Sequence, residues 1–288
     1  MKIKEYFKEK ELVKSFEIFP HNNKLPFKSI IKVVEELVQY NPAFISVTCG
    51  ASGFEQTTQT LDVASLVKNQ FNTEVMVHLT SIAASEEKIL NTLDTMKAND
   101  IENVLALRGD TPKDFEKEIE RDFYYGADLV NFIVKNRKNE FSIAAACYPE
   151  GHFETVSEEQ DIEHLKDKVE KGVDFLVTQL FFDNNNYFNF HQKIKDKGIH
   201  IPISIGLMPA INTKLIRKIV GMCGAKIPQD LEKLLAKYEN DEDSMFEAGI
   251  DYACKQIEGL VTYGIEGLHI YSLDRPEVVK AIYKNMNW

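Results

Sequence analysis

The chain has 288 residues, 44% of them hydrophobic and 27% charged, with a formal net charge of −11 at pH 7. That balance is ordinary for a globular protein and argues against nucleic acid or an anionic membrane as the main partner, while a local basic pocket could still take a small anionic ligand. With a charged N-terminus (MKIKEYFKEK) and no apolar run near the roughly 20 residues of a membrane span, it reads as cytoplasmic.

Apolar runs of strand length alternate with helical stretches along the chain. The first strand is predicted at Ser15–Phe19, followed by a helix striped by Ile30, Val33, Val34, Leu37 and Val38. Strands at Phe44–Thr48, Val75–Leu79 and Val104–Leu107 come next. Ser52 and Glu55 have capping-box spacing, and Ile89, Leu93 and Met96 stripe another helix. The charged stretch Lys113–Asp122 reads as a surface loop or short helix. Strands at Ser142–Ala146 and Phe175–Thr178 flank a second capping-box pair, Ser157 and Gln160. A strand at Ile203–Leu207, a polar region at Gln229–Asp243, a long helix reaching about Tyr263 and a strand at Leu268–Tyr271 complete the series.

Runs this short and apolar suit parallel strands buried on both faces. Strand–helix units without a Ser/Gly/Pro-rich linker predict an α/β fold, a (β/α)8 TIM barrel with extra helices, as a single domain over 1–288. Such a barrel takes about 250 residues.

The ligand of such a barrel lies at the C-terminal ends of the strands. Those ends carry Glu17, Pro20 and His21; Thr48, Cys49, Gly50 and Ala51; His78 and Thr80; Arg108 and Asp110. The later ends carry Tyr148, Pro149, Glu150 and His152; Gln179, Phe181, Phe182 and Asp183; Pro209 and Asn212; Tyr271, Asp274 and Arg275. Glu17 lies between Phe16 and Ile18, so its carboxylate either points into the barrel mouth or is buried at considerable cost. His78 and Gln179 read equally well as ligand contacts or as strand-end caps. Arg108 and Asp110 read as a ligand-facing pair or as an internal salt bridge. Cys49 and Cys147 read as small packing residues, and Tyr148, Phe181 and Phe182 as core aromatics. Polar groups gathering at one end of the same strands favour a site.

Asp161, His164 and Lys168 share one helix face at i, i+3 and i+7, away from the stripe Ile162, Leu165 and Val169; alone, they read as a solvated face. No GxGxxG follows a strand and no GxxxxGK[ST] occurs, so neither a Rossmann site nor a phosphate loop is supported. HxH and HExxH spacings are lacking, and the four cysteines (Cys49, Cys147, Cys223, Cys254) form no CxxC, so free thiols and no metal are expected.

FEIFP, VTCGASG, HLT, LALRGDTP, ACYPEGH, VTQLFFD, GLMPAIN and YSLDRPE, in that order from Phe16 to about Ile282, resemble the strand-end motifs of methylenetetrahydrofolate reductases. The length resembles compact bacterial members that have only the catalytic barrel. The resemblance implies non-covalent FAD, NADH or NADPH as electron donor, and ping-pong reduction of 5,10-methylenetetrahydrofolate to 5-methyltetrahydrofolate, feeding methionine synthesis. Glu17 matches the family's general acid, which protonates the departing N10 as the methylene bridge opens to a 5-iminium cation. Asp110 matches an aspartate near flavin and pterin whose charge stabilises that cation. Thr48, Gln179 and Arg275 match substrate-binding positions. Gln179 serves folate and nicotinamide in turn, and the Arg275 fork suits the glutamate tail. The implied flavin positions are Cys49, Ala51, His78, Arg108, Gly109, Asp110, Tyr125, Gly126, Ala146, Tyr148, His152, Asp161, His164, Asp167 and Lys168, with Arg108 and Lys168 against the pyrophosphate.

Some residues depart from the family pattern. Cys49 stands where a VTYGA-like motif has tyrosine, and Gly151 interrupts the stretch before His152. Leu215 and Ile219 stand where a glutamine and a phenylalanine contact substrates. NADH, NADPH and an accessory reducing protein stay open as donors, and nothing selects among homo-oligomers. Alternative readings are another FAD-dependent barrel oxidoreductase resembling proline dehydrogenase, a metal-dependent barrel hydrolase, or an inactive folate-binding module.

Overall fold

Eight parallel strands close into a barrel in sequence order: β1 (Val13–Ile18), β2 (Phe44–Val47), β3 (Val75–Thr80), β4 (Asn103–Leu107), β5 (Ser142–Cys147), β6 (Phe175–Thr178), β7 (Ile203–Leu207) and β8 (Gly267–Tyr271). The computed structural model describes residues 1–9, 11–20, 27–49, 57–82, 84–109, 122–152 and 154–288. Each predicted strand is present, with ends shifted by no more than a residue or two. β1 stops at Ile18 rather than Phe19 because the Phe19 N–H donates to the Asp274 side chain.

The helices are α1 (Phe27–Leu37), α2 (Thr57–Gln70), α3 (Glu86–Ala98), α4 (Gly126–Asn136), α5 (Glu158–Glu170), α6 (Asn184–Asp196), α7 (Thr213–Cys223), α8 (Gln229–Lys237), α9 (Glu242–Tyr263) and α10 (Pro276–Met286). The apolar stripes predicted for α1 and α3 are buried, apart from Val38, which lies beyond α1 in a 3-10 turn. Ser157 accepts the Gln160 N–H at 3.2 Å, so one half of that capping box is formed. Ser52, Glu55 and all of 113–121 lie outside the described residues. The polar region at Gln229–Asp243 is itself largely helical. Its Leu231 and Leu235, one turn apart, bury the inner face of α8.

Strand alternation divides the interior into two layers. Phe16, Ile18, Ile45, Val47, Val77 and Leu79 face outward and pack under the helices. Val13, Phe44, Met76, Leu105, Ala144 and Phe175 face inward and fill the lower barrel. Phe7 of an N-terminal 3-10 helix (Ile3–Lys8) closes that end, its ring 5.2 Å from Phe175. A further cluster, Leu180, Phe182, Met208, Ile216, Leu231, Leu235 and Met245, packs α7–α9 against the ends of β6 and β7. Full burial of each large apolar side chain contributes about 1.5–3 kcal/mol, so this end is held by packing, and the polar strand ends stand opposite it. Among the described residues, no helix is long and apolar enough to cross a membrane.

Candidate active site

The inward positions change from apolar to polar on passing up the barrel. Ser15 and Glu17 follow Val13 on β1, Ser46 follows Phe44 on β2, His78 follows Met76 on β3, and His269 and Tyr271 follow Gly267 on β8. Register sets Ser15 beside His269 and Glu17 beside both Ser46 and Tyr271.

The Glu17 carboxyl, 12% exposed, therefore lies between two imidazoles. Its Oε2 is 3.5 Å from His78 Nε2 and 3.6 Å from His269 Nε2. Ser46 Oγ lies 2.7 Å from His78 Nε2, and Ser15 Oγ lies 2.8 Å from His269 Nδ1. Burial lowers His78 to about 4 despite the opposing pull of Glu17, so the ring is neutral at neutral pH.

Two more acids border this group. Tyr271 is half-buried, and burial of its hydroxyl, reinforced by the Glu17 charge, pushes that group well above the ordinary range; the hydroxyl donates to the Thr178 carbonyl at 2.8 Å. Asp274 follows Leu273, and both residues have left-handed backbone, with φ of 57° and 55°. Two such non-glycine residues in succession mark local strain held by surrounding structure. Asp274 Oδ1 accepts the Phe19 N–H at 2.8 Å. Burial raises its carboxyl to about 6, with the Phe19 hydrogen bond opposing and the Glu17 charge adding to the rise.

The β4–β5 side is basic and aromatic. Lys168 Nζ donates to the Ala146 carbonyl at 3.1 Å, and burial lowers its ammonium. Arg108 pairs with Glu154 at 2.7 Å, a partner absent from the sequence-level reading; Asp110 lies outside the described residues. Tyr148 and His152 meet edge to face at 4.6 Å between centroids. Asp161 Oδ2 accepts the His152 N–H at 3.1 Å, and burial raises its carboxyl. Gly109 has φ of +86°, and a Cβ there would press on Thr80 and Ile82 at 3.2 Å. A Cβ on Gly126 would stand 3.5 Å from the Arg108 amide, so α4 begins close against the end of β4.

The remaining predicted positions divide. Thr48 Oγ1 is buried without a hydrogen-bond partner among the described residues, and Cys49 is half-buried. Gln179 Oε1 accepts the Leu180 N–H at 2.9 Å. Arg275 Nε donates to Glu277 at 2.7 Å, and its guanidinium carbon sits 5.3 Å from the Phe246 ring centroid. Tyr125 is exposed. On α5, Asp161 and Lys168 turn inward, so a wholly solvated face is not what forms. His164 is exposed, and Asp167 bridges to Lys171 at 2.7 Å. Ala51 lies outside the described residues. Phe181, Phe182 and Cys147 are core residues.

His269, Ser15 and Ser46 were not singled out from sequence, although alternation from Glu17 and Tyr271 points to all three. Chemically, the mouth offers a carboxyl able to carry a proton beside a cationic, aromatic rim suited to a flat anionic ligand. Among the described residues, no group of three or more His, Cys, Asp or Glu could hold a metal ion.

The family model described as methylenetetrahydrofolate reductase matches residues 2–287. Methylenetetrahydrofolate reductase (NADH) 1 of Arabidopsis thaliana is 34% identical, over 99% of this chain and 50% of the plant protein. The 5,10-methylenetetrahydrofolate reductase of Salmonella typhimurium is 31% identical, over 93% of this chain and 88% of the bacterial one. The chain thus spans about half the length of the plant relatives and most of the bacterial relative. A solved Clostridium thermocellum protein, uncharacterized and binding two copies of 5-methyl-5,6,7,8-tetrahydrofolic acid, shares the fold with a TM-score of 0.65. It is 12% identical, with 98% of this chain and 96% of that chain covered.

Proposed function

The chain belongs to the methylenetetrahydrofolate reductase family, and from that premise we propose that it reduces 5,10-methylenetetrahydrofolate to 5-methyltetrahydrofolate with non-covalent FAD and a nicotinamide donor. Glu17 carries this reading: its carboxyl stands in the mouth of the barrel between His78 and His269. Opening the methylene bridge needs a proton on N10, and a largely enclosed carboxylic acid is suited to supply it. As a proposal, residues 1–288 form one catalytic FAD-binding domain working in the cytoplasm.

The β4–β5 rim fits FAD. Lys168 is a partly buried cation, Arg108 is a second that also acts on His152, and Gly109 and Gly126 let the end of β4 pack closely against β3 and α4. Arg108 and Lys168 would hold the pyrophosphate; Tyr148, His152, Ala146, Cys49 and His78 would line the rest, with Ala51 and Asp110 assigned by family likeness. Tyr125, Asp161, His164 and Asp167 belong to the same assignment on α4 and α5. FAD, when bound, supplies a carrier for the hydride. Thr48 would contact the nicotinamide, Gln179 either substrate, and Arg275 the glutamate tail of folate.

The test uses purified protein loaded with FAD. A yellow protein that bleaches anaerobically on addition of NADH or NADPH, and recovers its colour with 5,10-methylenetetrahydrofolate, is expected. Comparing the two nicotinamides side by side identifies the donor. A protein that takes up no FAD, or whose reduced flavin ignores the folate, would overturn the proposal.

A further inference from the structure

The segment Gln179–Asp183 joins β6 to α6 outside both strand and helix, yet Leu180, Phe181 and Phe182 are buried. Buried backbone carbonyls need hydrogen-bond donors, and here α9 supplies them. Gln256 Nε2 donates to the Phe181 carbonyl at 2.9 Å, and the Tyr252 hydroxyl donates to the Phe182 carbonyl at 2.8 Å. Asn184, at the start of α6, ties back to the same helix, its Nδ2 donating to the Gln256 carbonyl at 2.9 Å.

Tyr252 and Gln256 share one face of α9 with Gly249 and Gly259, at successive spacings of three, four and three residues. A Cβ on Gly249 would collide with the Ala210 carbonyl just beyond β7, and one on Gly259 would stand 2.7 Å from Asn184 Nδ2. Glycines inside a helix weaken it, so this face is shaped to the segments it meets. One turn earlier, the Phe246 ring faces the guanidinium of Arg275. A single helix thus touches the segments beyond β6, β7 and β8.

The first of those segments carries Gln179. Its N–H donates to the Cys147 carbonyl at 2.8 Å, and its Oε1 accepts the Leu180 N–H at 2.9 Å. The direction of the Gln179 amide therefore follows the backbone path through Leu180 and Phe181, which Gln256 holds. The residues assigned to FAD stand elsewhere, at the ends of β2–β5 and on α4 and α5.

We propose that the Gly249, Tyr252, Gln256 and Gly259 face of α9 is a template for the substrate half of the site. In it, Gln256 and Tyr252 are positioning residues that aim Gln179 at the nicotinamide and the folate in turn. The inference rests on the function proposed above. Both residues act by holding a carbonyl of the Gln179 segment, not by touching a substrate.

Gln256→Met keeps the length of the side chain and removes the donor to the Phe181 carbonyl. The variant is loaded with FAD, and each half-reaction is followed anaerobically over a range of substrate concentration. The concentrations of nicotinamide and of 5,10-methylenetetrahydrofolate giving half the maximal rate should both rise roughly 3–30-fold, the span of one lost hydrogen bond. FAD affinity, read from flavin fluorescence, should equal that of the parent. In a Gln179→Ala background the same substitution should raise neither concentration further, because both changes remove one contact. A bond serving stability alone would lower the denaturation midpoint and leave both concentrations unmoved. That result, an equal weakening of FAD, or the same rise in the Gln179→Ala background would each overturn the proposal.

If Gln256→Met fails to fold, Tyr252→Phe, which keeps the ring, carries the test, with a smaller rise expected and none refuting it. If the parent flavin is not reoxidised by folate, the folate reading falls. The template is then judged by the nicotinamide half-reaction and by hydrogen exchange of the Leu180 amide, whose acceptor is Gln179 Oε1. Faster exchange of that amide in Gln256→Met, with the amides of β1–β4 unchanged, is expected; equal exchange would refute the positioning.

Discussion

Gly206 and Tyr271 are fitted to each other across β7 and β8. A Cβ on Gly206 would meet both the Tyr271 hydroxyl and the Thr178 carbonyl, the two ends of a 2.8 Å hydrogen bond. The Gly206 N–H also donates to Thr178 Oγ1 at 2.9 Å, so the β6–β7 contact and the Tyr271 anchor depend on the same missing side chain.

Gly206→Ala should therefore destabilise the protein by about 1–3 kcal/mol through overpacking. Tyr271→Phe, which removes one of the three obstructing atoms, should recover part of that loss when combined with it. Denaturant midpoints of the parent, the single variants and the double variant check this. Strict additivity would mean that the two residues do not compete for the space.

Glu17→Gln keeps the size of the side chain and removes its proton. Folate-dependent reoxidation of the flavin should fall roughly 10²–10⁴-fold, the usual span of general acid catalysis, with nicotinamide-dependent reduction retained. Stopped-flow measurement of each half-reaction separates the two. A parallel loss of both would remove Glu17 from the role of folate acid.

Lys168→Met preserves the buried stem and removes the ammonium that donates to the Ala146 carbonyl. Losing a charged partner of the pyrophosphate should weaken FAD binding roughly 10–100-fold. Quenching of flavin fluorescence on titration with protein gives the affinity. An affinity equal to that of the parent would mean that Lys168 serves packing alone.

Asp274 binds its proton up to about pH 6 in the folded protein, against an ordinary value of 3.8. A carboxyl raised in this way favours the folded state fully below its unfolded value, and the contribution is lost as pH rises through the folded one. Asp274→Asn keeps an oxygen for the Phe19 N–H and abolishes the titration. Relative to the parent it should gain about 1–3 kcal/mol at pH 8 and much less near pH 4. Thermal midpoints across that range test the sign, and a constant difference would refute it.

Much of this protein was readable from sequence, because strand length, apolar runs and helical stripes are local properties. Eight short buried runs led to a closed parallel barrel, and the barrel led to the ends of its strands. Glu17 stood out because a carboxylate inside an apolar strand has few places to go. What surrounds it was a different matter. That Arg108 reaches Glu154, whether Lys168 faces water or the Ala146 carbonyl, and which groups flank Glu17 are decided by register and closure. Those bring residue 269 beside residue 15, a separation no local pattern spans. Sequence by itself determined that a carboxyl sits at the end of the first strand. Only the tertiary structure, by closing β8 onto β1, decided that a buried imidazole stands behind it.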